Sequence, residues 1–320
     1  MQKNKGIRKV FKSDNLGIFV ALVGVIVLFS MINKNYFMTG NLVNILTAAS
    51  LTGLIAVGES LLLIAGYMDL SAGSLAAFAG VSAAIMMRAG MPVSVTIPVV
   101  LILGALIGCV NAFFITQLKI DAFIVTMALQ CIVRGFAYII SNGEGILITD
   151  SFFLKLGTYK FFGIKVISFP IILMVLVFIV FYIMLSKMQA GREIYFLGGN
   201  QAAARLAGIS LKKTTYKLYI LMGVLASAGG MVLAARMNTG QPQACVNLEF
   251  DAITAAVLGG IAMSGGYGTL SGTFLGLLLL QCFNNGLILI NVPSFWQSVA
   301  KGVLLLLALS FDYFRSRKRG

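Results

Sequence analysis

The sequence predicts an all-α, polytopic membrane protein, and three observations carry that prediction. Of the 320 residues, 59% are hydrophobic and only 11% charged, where a soluble domain has about 25% charged residues with which to cover its surface. Mean hydropathy is +0.97. Apolar runs such as LGIFVALVGVIVLFSMI (16–32) and FPIILMVLVFIVFYIML (169–185) approach the ~20 residues that carry a helix across ~30 Å of hydrocarbon. The runs are continuously apolar and do not alternate, which excludes the strands of a membrane β-barrel.

About ten spans follow in order: 16–32, 42–66, 72–88, 93–117, 121–141, 166–186, 214–235, 250–264, 270–290 and 295–312. The first follows a basic tail, and MINKNYF behind it offers no small-residue cleavage site, so it reads as a retained anchor. The span 250–264 is short and glycine-rich, and is the one expected to be broken. Membrane-depth backbone tolerates that where it is buried in protein or faces a cavity.

The net charge of +14 raises nucleic acid as a partner, but its placement argues for a membrane. With the N-terminus inside, inner segments collect 16 Lys and Arg: the tail residues Lys3 to Lys12, Lys119, Lys187 to Lys217, and Arg315 to Arg319. Outer segments hold six: Lys34, Arg88, Lys155, Lys160, Lys165 and Arg236. Positive loops stay on the cytoplasmic side, so both termini are expected inside. The chain reads as one domain, with cytoplasmic tails at 1–15 and 313–320 and a long inner connection at 187–213.

Much chemistry is missing. There is no histidine, the usual proton-transfer group near neutral pH. Cys109, Cys131, Cys245 and Cys282 form no C-x-x-C pair, so no metal site or disulfide framework is expected. No P-loop is present, so ATP is not expected to bind this chain. Glu59 is the one acid well inside a span, which requires a bundle interior or a partner. Asp69 and Ser71 open DLSAGS and read first as a helix N-cap. Asp69, Ser71, Ser74, Asn111, Asn284 and Asn285 are also candidates to line a path for a neutral, hydroxyl-rich solute, since such groups donate and accept hydrogen bonds. Polar groups in spans serve equally as glue between helices. GYMDLSAG (66–73) recurs as GYGTLSGT (266–273), the kind of internal echo found in transporters built from duplicated halves.

The segment LGGNQAAARLAGISLKK (197–213) is too long and too well capped to be a simple turn. Asn200 is an N-cap, QAAARLA a helix-forming run, and Gly208 the left-handed residue that ends it. So short a helix is marginal alone in water. Ala203, Leu206 and Ala207 give it a small apolar face, for its own bundle or for a second protein.

This segment resembles the coupling loop of ribose-type sugar permeases in ATP-binding-cassette importers, the group shared with branched-chain amino acid permeases. MDLSAGSLAAFAG (68–80) and DAITAAVLGGIAMSGGYGTLSGTFLGLLLLQCFNNGL (251–287) extend the resemblance over nearly the whole chain. It implies ten spans of the vitamin B12 importer kind in the bacterial inner membrane. It also implies a partner permease (a second copy or a homologue), cytoplasmic ATPase subunits that hold ATP and magnesium, and an extracytoplasmic sugar-binding protein. Gly199, Asn200, Ala203, Ala204, Arg205, Gly208 and Ile209 would couple to the ATPase, and this chain would catalyse nothing itself. Gln201 departs from an acid common in the family, and Tyr267 from a lysine. From the residues alone, a stand-alone ion-coupled carrier is the alternative. A membrane enzyme is disfavoured, because no convergent catalytic set appears.

Overall fold

The computed structural model describes residues 13–161 and 168–317. The basic residues Lys3 to Lys12, with Lys165, Lys318 and Arg319, lie outside the described residues. Among the described residues thirteen helices follow one another: α1 (Ser13–Ile32), α2 (Thr39–Ile64), α3 (Ala72–Arg88), α4 (Val93–Gln117), α5 (Ala122–Ser141), α6 (Ser151–Thr158), α7 (Phe169–Lys187), α8 (Gln189–Gly199), α9 (Gln201–Leu206), α10 (Leu211–Met237), α11 (Leu248–Leu258), α12 (Leu270–Leu289) and α13 (Ser294–Arg317). Two short strands, β1 (Ile146–Leu147) and β2 (Thr239–Gly240), pair antiparallel.

A helix occupies each of the ten intervals read from sequence. Six of them (α2, α4, α5, α7, α10 and α12) are long and apolar enough to cross a membrane by length and composition. The broken interval is 250–264: α11 stops at Leu258, and irregular backbone runs to Thr269. The stop is a Schellman turn, with Gly260 N–H on Val257 O and Ile261 N–H on Ala256 O. The helices missed in sequence are α6, between the intervals 121–141 and 166–186, and α8, inside the 187–213 connection. The apolar face of α8 (Ile194 and Leu197, both buried) has helical spacing, but the run is too short and polar to be sensed as a span.

In their most apolar stretches, 83% of α2 and 72% of α10 are buried inside the chain, against 28% of α4, 22% of α5 and 33% of α7. The first two therefore form the centre, and the others turn apolar surface such as Ile102, Leu106, Ile124, Ile132 and Leu176 towards lipid. Small residues bring α10 into backbone contact with its neighbours: Gly223 abuts Gly104 of α4, and Gly230 abuts Ala76 of α3. No hydrophobic force drives helices together in lipid, so such close fits supply dispersion contact instead.

Two connections dip into the bundle. The 238–247 segment runs alongside α3, with Gly240 against Gly80 and Cys245 near Gly73, so α11 begins next to the start of α3. The 65–71 segment likewise turns inward before α3 begins. Both cations that sequence places within spans have partners. Arg134 donates to Pro242 O (2.6 Å) and Ala244 O (2.7 Å), pinning the dipping segment. Lys301 pairs with Asp251 at 2.8 Å.

Candidate functional site

Two constellations stand out, one polar and buried, the other made of glycines at the end of the bundle that carries α8 and α9. The buried one forms where the inward turn 67–71 passes α2 and α4. Glu59 accepts the Asp69 N–H at 3.1 Å. Asp69 Oδ1 accepts the N–H of Ser71 at 2.8 Å and also its hydroxyl. Asn111 Nδ2 donates to Ser71 Oγ at 3.0 Å, and Ser74 Oγ to Ser71 O at 2.8 Å. Tyr219 OH donates to Met68 O at 2.9 Å, tying the same turn to α10. Glu249, at the start of α11, lies against Gly73 and accepts from Gln130 Nε2 at 2.8 Å.

Four of the six candidate path residues, Asp69, Ser71, Ser74 and Asn111, thus share one buried cluster. Asn284 and Asn285 do not join it. Asn285 and Asn41 exchange two amide hydrogen bonds, at 2.8 and 2.9 Å, at the N-terminal end of α2, far along the helix from Glu59. The N-cap reading of Ser71 is corrected: Ser71 holds the N-cap position of α3, but its side chain makes no capping bond. It is instead held by Asp69, two residues upstream. Glu249, one residue before the interval 250–264, is fully buried. Its Oε2 and the Oδ1 of Asn111 have no hydrogen-bond partner among the described residues. Buried oxygens left so cost free energy unless water or a solute completes them.

The second constellation joins the echoed segments. Gly66 and Gly266 both adopt left-handed backbone, at φ +80° and +72°. Gly266 N–H donates to Ile64 O at 2.7 Å. Gly198, near the end of α8, lies against both; a Cβ there would strike Ile64 O and come within 2.6 Å of Gly266 N. Tyr195 OH of α8 donates to Gly268 O at 2.7 Å. Burial and the neighbouring Tyr267 raise its pKa, so the donor stays protonated at neutral pH. Asp312 of α13 accepts from Met263 N–H at 3.1 Å. The echo is thus structural as well: Asp69 and Thr269 each accept a hydrogen bond from the serine two residues on.

From this junction α9 projects. Asn200 Oδ1 accepts the Ala203 N–H at 2.9 Å, and Gly208, at φ +78°, closes the helix in a Schellman turn with Gly208 N–H on Arg205 O and Ile209 N–H on Ala204 O. Ala204 is its one buried residue. Ala203 and Ala207 are exposed, and Leu206 is 91% exposed. The apolar face is therefore not spent on the chain's own bundle. Sequence reasoning missed Gly198 as the tight glycine of the pair, and Tyr195 and Asp312 as ties. Only the doubled glycine signalled any of this.

Residues 41–309 match the family model described as the permease component of a branched-chain amino acid transport system. The ribose import permease protein RbsC of Haemophilus influenzae is 36% identical over 305 residues, covering 94% of each chain. The RbsC of Escherichia coli K12 is 37% identical over 296 residues, 92% of each. The L-arabinose permease protein AraH of Azospirillum brasilense is 35% identical over 303 residues, 95% of this chain and 88% of its own. No solved structure matches the chain. With apolar helices throughout and full-length likeness of this order, the chain belongs to the branched-chain amino acid/ribose group of ATP-binding-cassette importer permeases, multi-pass proteins of the bacterial inner membrane.

Proposed function

We propose that this chain is the transmembrane subunit through which an ATP-driven importer moves a monosaccharide, a ribose-like pentose or a hexose, into the cytoplasm. The relatives named for ribose and arabinose supply the substrate class. The observation that carries the mechanism is the junction of Gly198, Ile64 and Gly266. In this reading all ten long helical intervals are spans of a vitamin B12 importer-like permease, both termini are cytoplasmic, and 187–213 is the coupling loop.

An ATPase pair, which binds the ATP and magnesium, grips the exposed face of α9 at Ala203, Leu206 and Ala207. Displacement of α9 passes through Gly198, where no side chain cushions the contact, to the ends of α2 and α11. The turn behind the end of α2 carries Asp69 and Ser71, and Glu249 stands at the far end of α11. A shift there opens the buried polar cluster, whose unpartnered oxygens on Asn111 and Glu249 match sugar hydroxyls. The chain itself contributes no reaction and holds no cofactor. A binding protein delivers the sugar on the outer side, and a second permease, identical or homologous, completes the membrane unit.

Reconstitution tests this. Vesicles holding this chain with its ATPase and binding protein should accumulate sugar only with ATP. Uptake by this chain alone, driven by an ion gradient, would instead establish the stand-alone carrier, a reading that relatives named as permeases of import systems do not favour.

A further inference from the structure

We infer that the cleft between the 116–122 connection, α9 and the first turn of α10 is a binding site for a phosphate group, carried either by a small phosphorylated metabolite or by an anionic lipid headgroup. The cleft measures about 710 Å³ and takes cations from three separate segments: Lys119, Arg205 and Lys212. Among the described residues none of the three makes an ion pair; the one such pair, Lys301 with Asp251, lies elsewhere. Asp121 also lines the cleft; its carboxylate, whose Oδ1 accepts the Phe123 N–H at 2.9 Å, leaves three cations against one anion. Lys119 holds a left-handed backbone, φ +55°, a conformation uncommon for a residue with a side chain and worth a functional question.

With three cations and one carboxylate in its lining, the concavity has an excess of positive charge that an entering anion offsets. Phosphate suits them, because its oxygens accept several charge-assisted bonds at once from guanidinium and ammonium groups. The cleft is lined by Gln201, Arg205 and Ile209 and not by Ala203, Leu206 or Ala207, so it shares Arg205 and Ile209 with the coupling set and leaves the exposed apolar face of α9 free for the ATPase. Gly66 and Tyr67 form another wall, so an occupant would brace α9 against the Gly66 turn. That consequence rests on the coupling role of α9; binding itself does not.

Binding is read on the full-length chain in phosphatidylcholine nanodiscs by calorimetry, with ribose 5-phosphate as probe and neutral ribose as control. In a second arm, native mass spectrometry counts phosphatidylglycerol retained after extraction from mixed phosphatidylcholine and phosphatidylglycerol vesicles. Lys119→Gln with Lys212→Gln should weaken whichever phosphate binds by at least about tenfold, with Lys212→Arg restoring it. Lys213→Gln with Lys217→Gln removes equal charge outside the cleft and should change little. A response in the first arm identifies a soluble phosphate, and one in the second a lipid headgroup; either supports the site. No binding in either arm, or equal loss in both double variants, overturns it. Thermal stability measured alongside separates lost binding from lost fold.

Discussion

Gly198 lies so close over the carbonyl of Ile64 that no side chain fits between them, and that same carbonyl accepts the Gly266 N–H at 2.7 Å. A segment outside the spans therefore touches the ends of both echoed hairpins at one point. Next to it, a Cβ on Gly199 would meet only Gly266 Cα, at 4.0 Å. The two adjacent glycines should differ sharply on that account. Gly198→Ala should separate the three segments or cost roughly 1–3 kcal/mol in overpacking. Gly199→Ala should be nearly neutral. Thermal stability and transport of the paired variants check this, and equal tolerance at both positions would remove Gly198 from the junction.

Glu59 offers a second contrast. Its carboxylate receives the buried Asp69 N–H, which has no other acceptor among the described residues. Glu59→Gln keeps an acceptor oxygen and should preserve the fold. Glu59→Leu leaves the N–H unpaired and should destabilise by roughly 1–3 kcal/mol, read as a lower melting temperature in detergent. If Leu proves as stable as Gln, the hydrogen bond does not hold the turn.

How far the sequence could be read depends on the range of the interaction. Apolar length located all ten helical intervals, because crossing hydrocarbon is a local requirement on composition. Asn200 and Gly208 were legible because capping is completed within one short stretch. The partners of Glu59, the burial of Glu249 and the tightness at Gly198 were not. The first depends on a turn ten residues on that dips into the bundle, the other two on segments far along the chain, and nothing in VNLEF says that its acid turns inward. The spread of Asn284 and Asn285 away from Asn111 has the same cause, since composition cannot say which face of which helix meets which neighbour.

Orientation is open to labelling. The β1–β2 pair joins the two connections expected outside, and the Gly66–Gly198–Gly266 junction joins those expected inside. Lys155→Cys and Thr239→Cys should react with an impermeant thiol reagent in intact cells, and Arg192→Cys only after lysis. Native cysteines, of which Cys131 is exposed on α5, are first replaced. Reaction of position 192 in intact cells would invert the assignment.

The outer connections should receive the binding protein. Glu144 is exposed beside β1, whereas Glu249 is buried and cannot contribute. Phe153 is also buried and Phe152 63% exposed, so the aromatic run there is divided between core and surface; Phe162 lies outside the described residues. Glu144→Lys should slow association with the binding protein, most strongly at low salt where screening is weak, and leave ATPase assembly unchanged. Salt-independent, wild-type association would place docking elsewhere.

The coupling role of α9 is tested at two residues, one on its outward face and one at the turn that closes it. Ala203 faces outward, so Ala203→Trp should leave the contact at Ala204 intact while blocking any cleft that receives the small face. Gly208 supplies the left-handed turn that closes the helix, and Gly208→Val puts a β-branched side chain into that conformation, which should unwind or displace the last turn. Nothing lies within 4 Å of the position a Cβ would take there, so the effect is one of backbone and not of collision. Both variants should insert and assemble. If α9 transmits force, both should lower the sugar transported per ATP hydrolysed, Ala203→Trp by weakening the grip and Gly208→Val by softening the lever. A helix that serves only as packing would lower the yield of folded protein, while each assembled complex kept its ratio. The deciding measurement is that ratio in reconstituted vesicles, normalised to assembled complex, and wild-type values for both variants would reduce 199–209 to a structural segment.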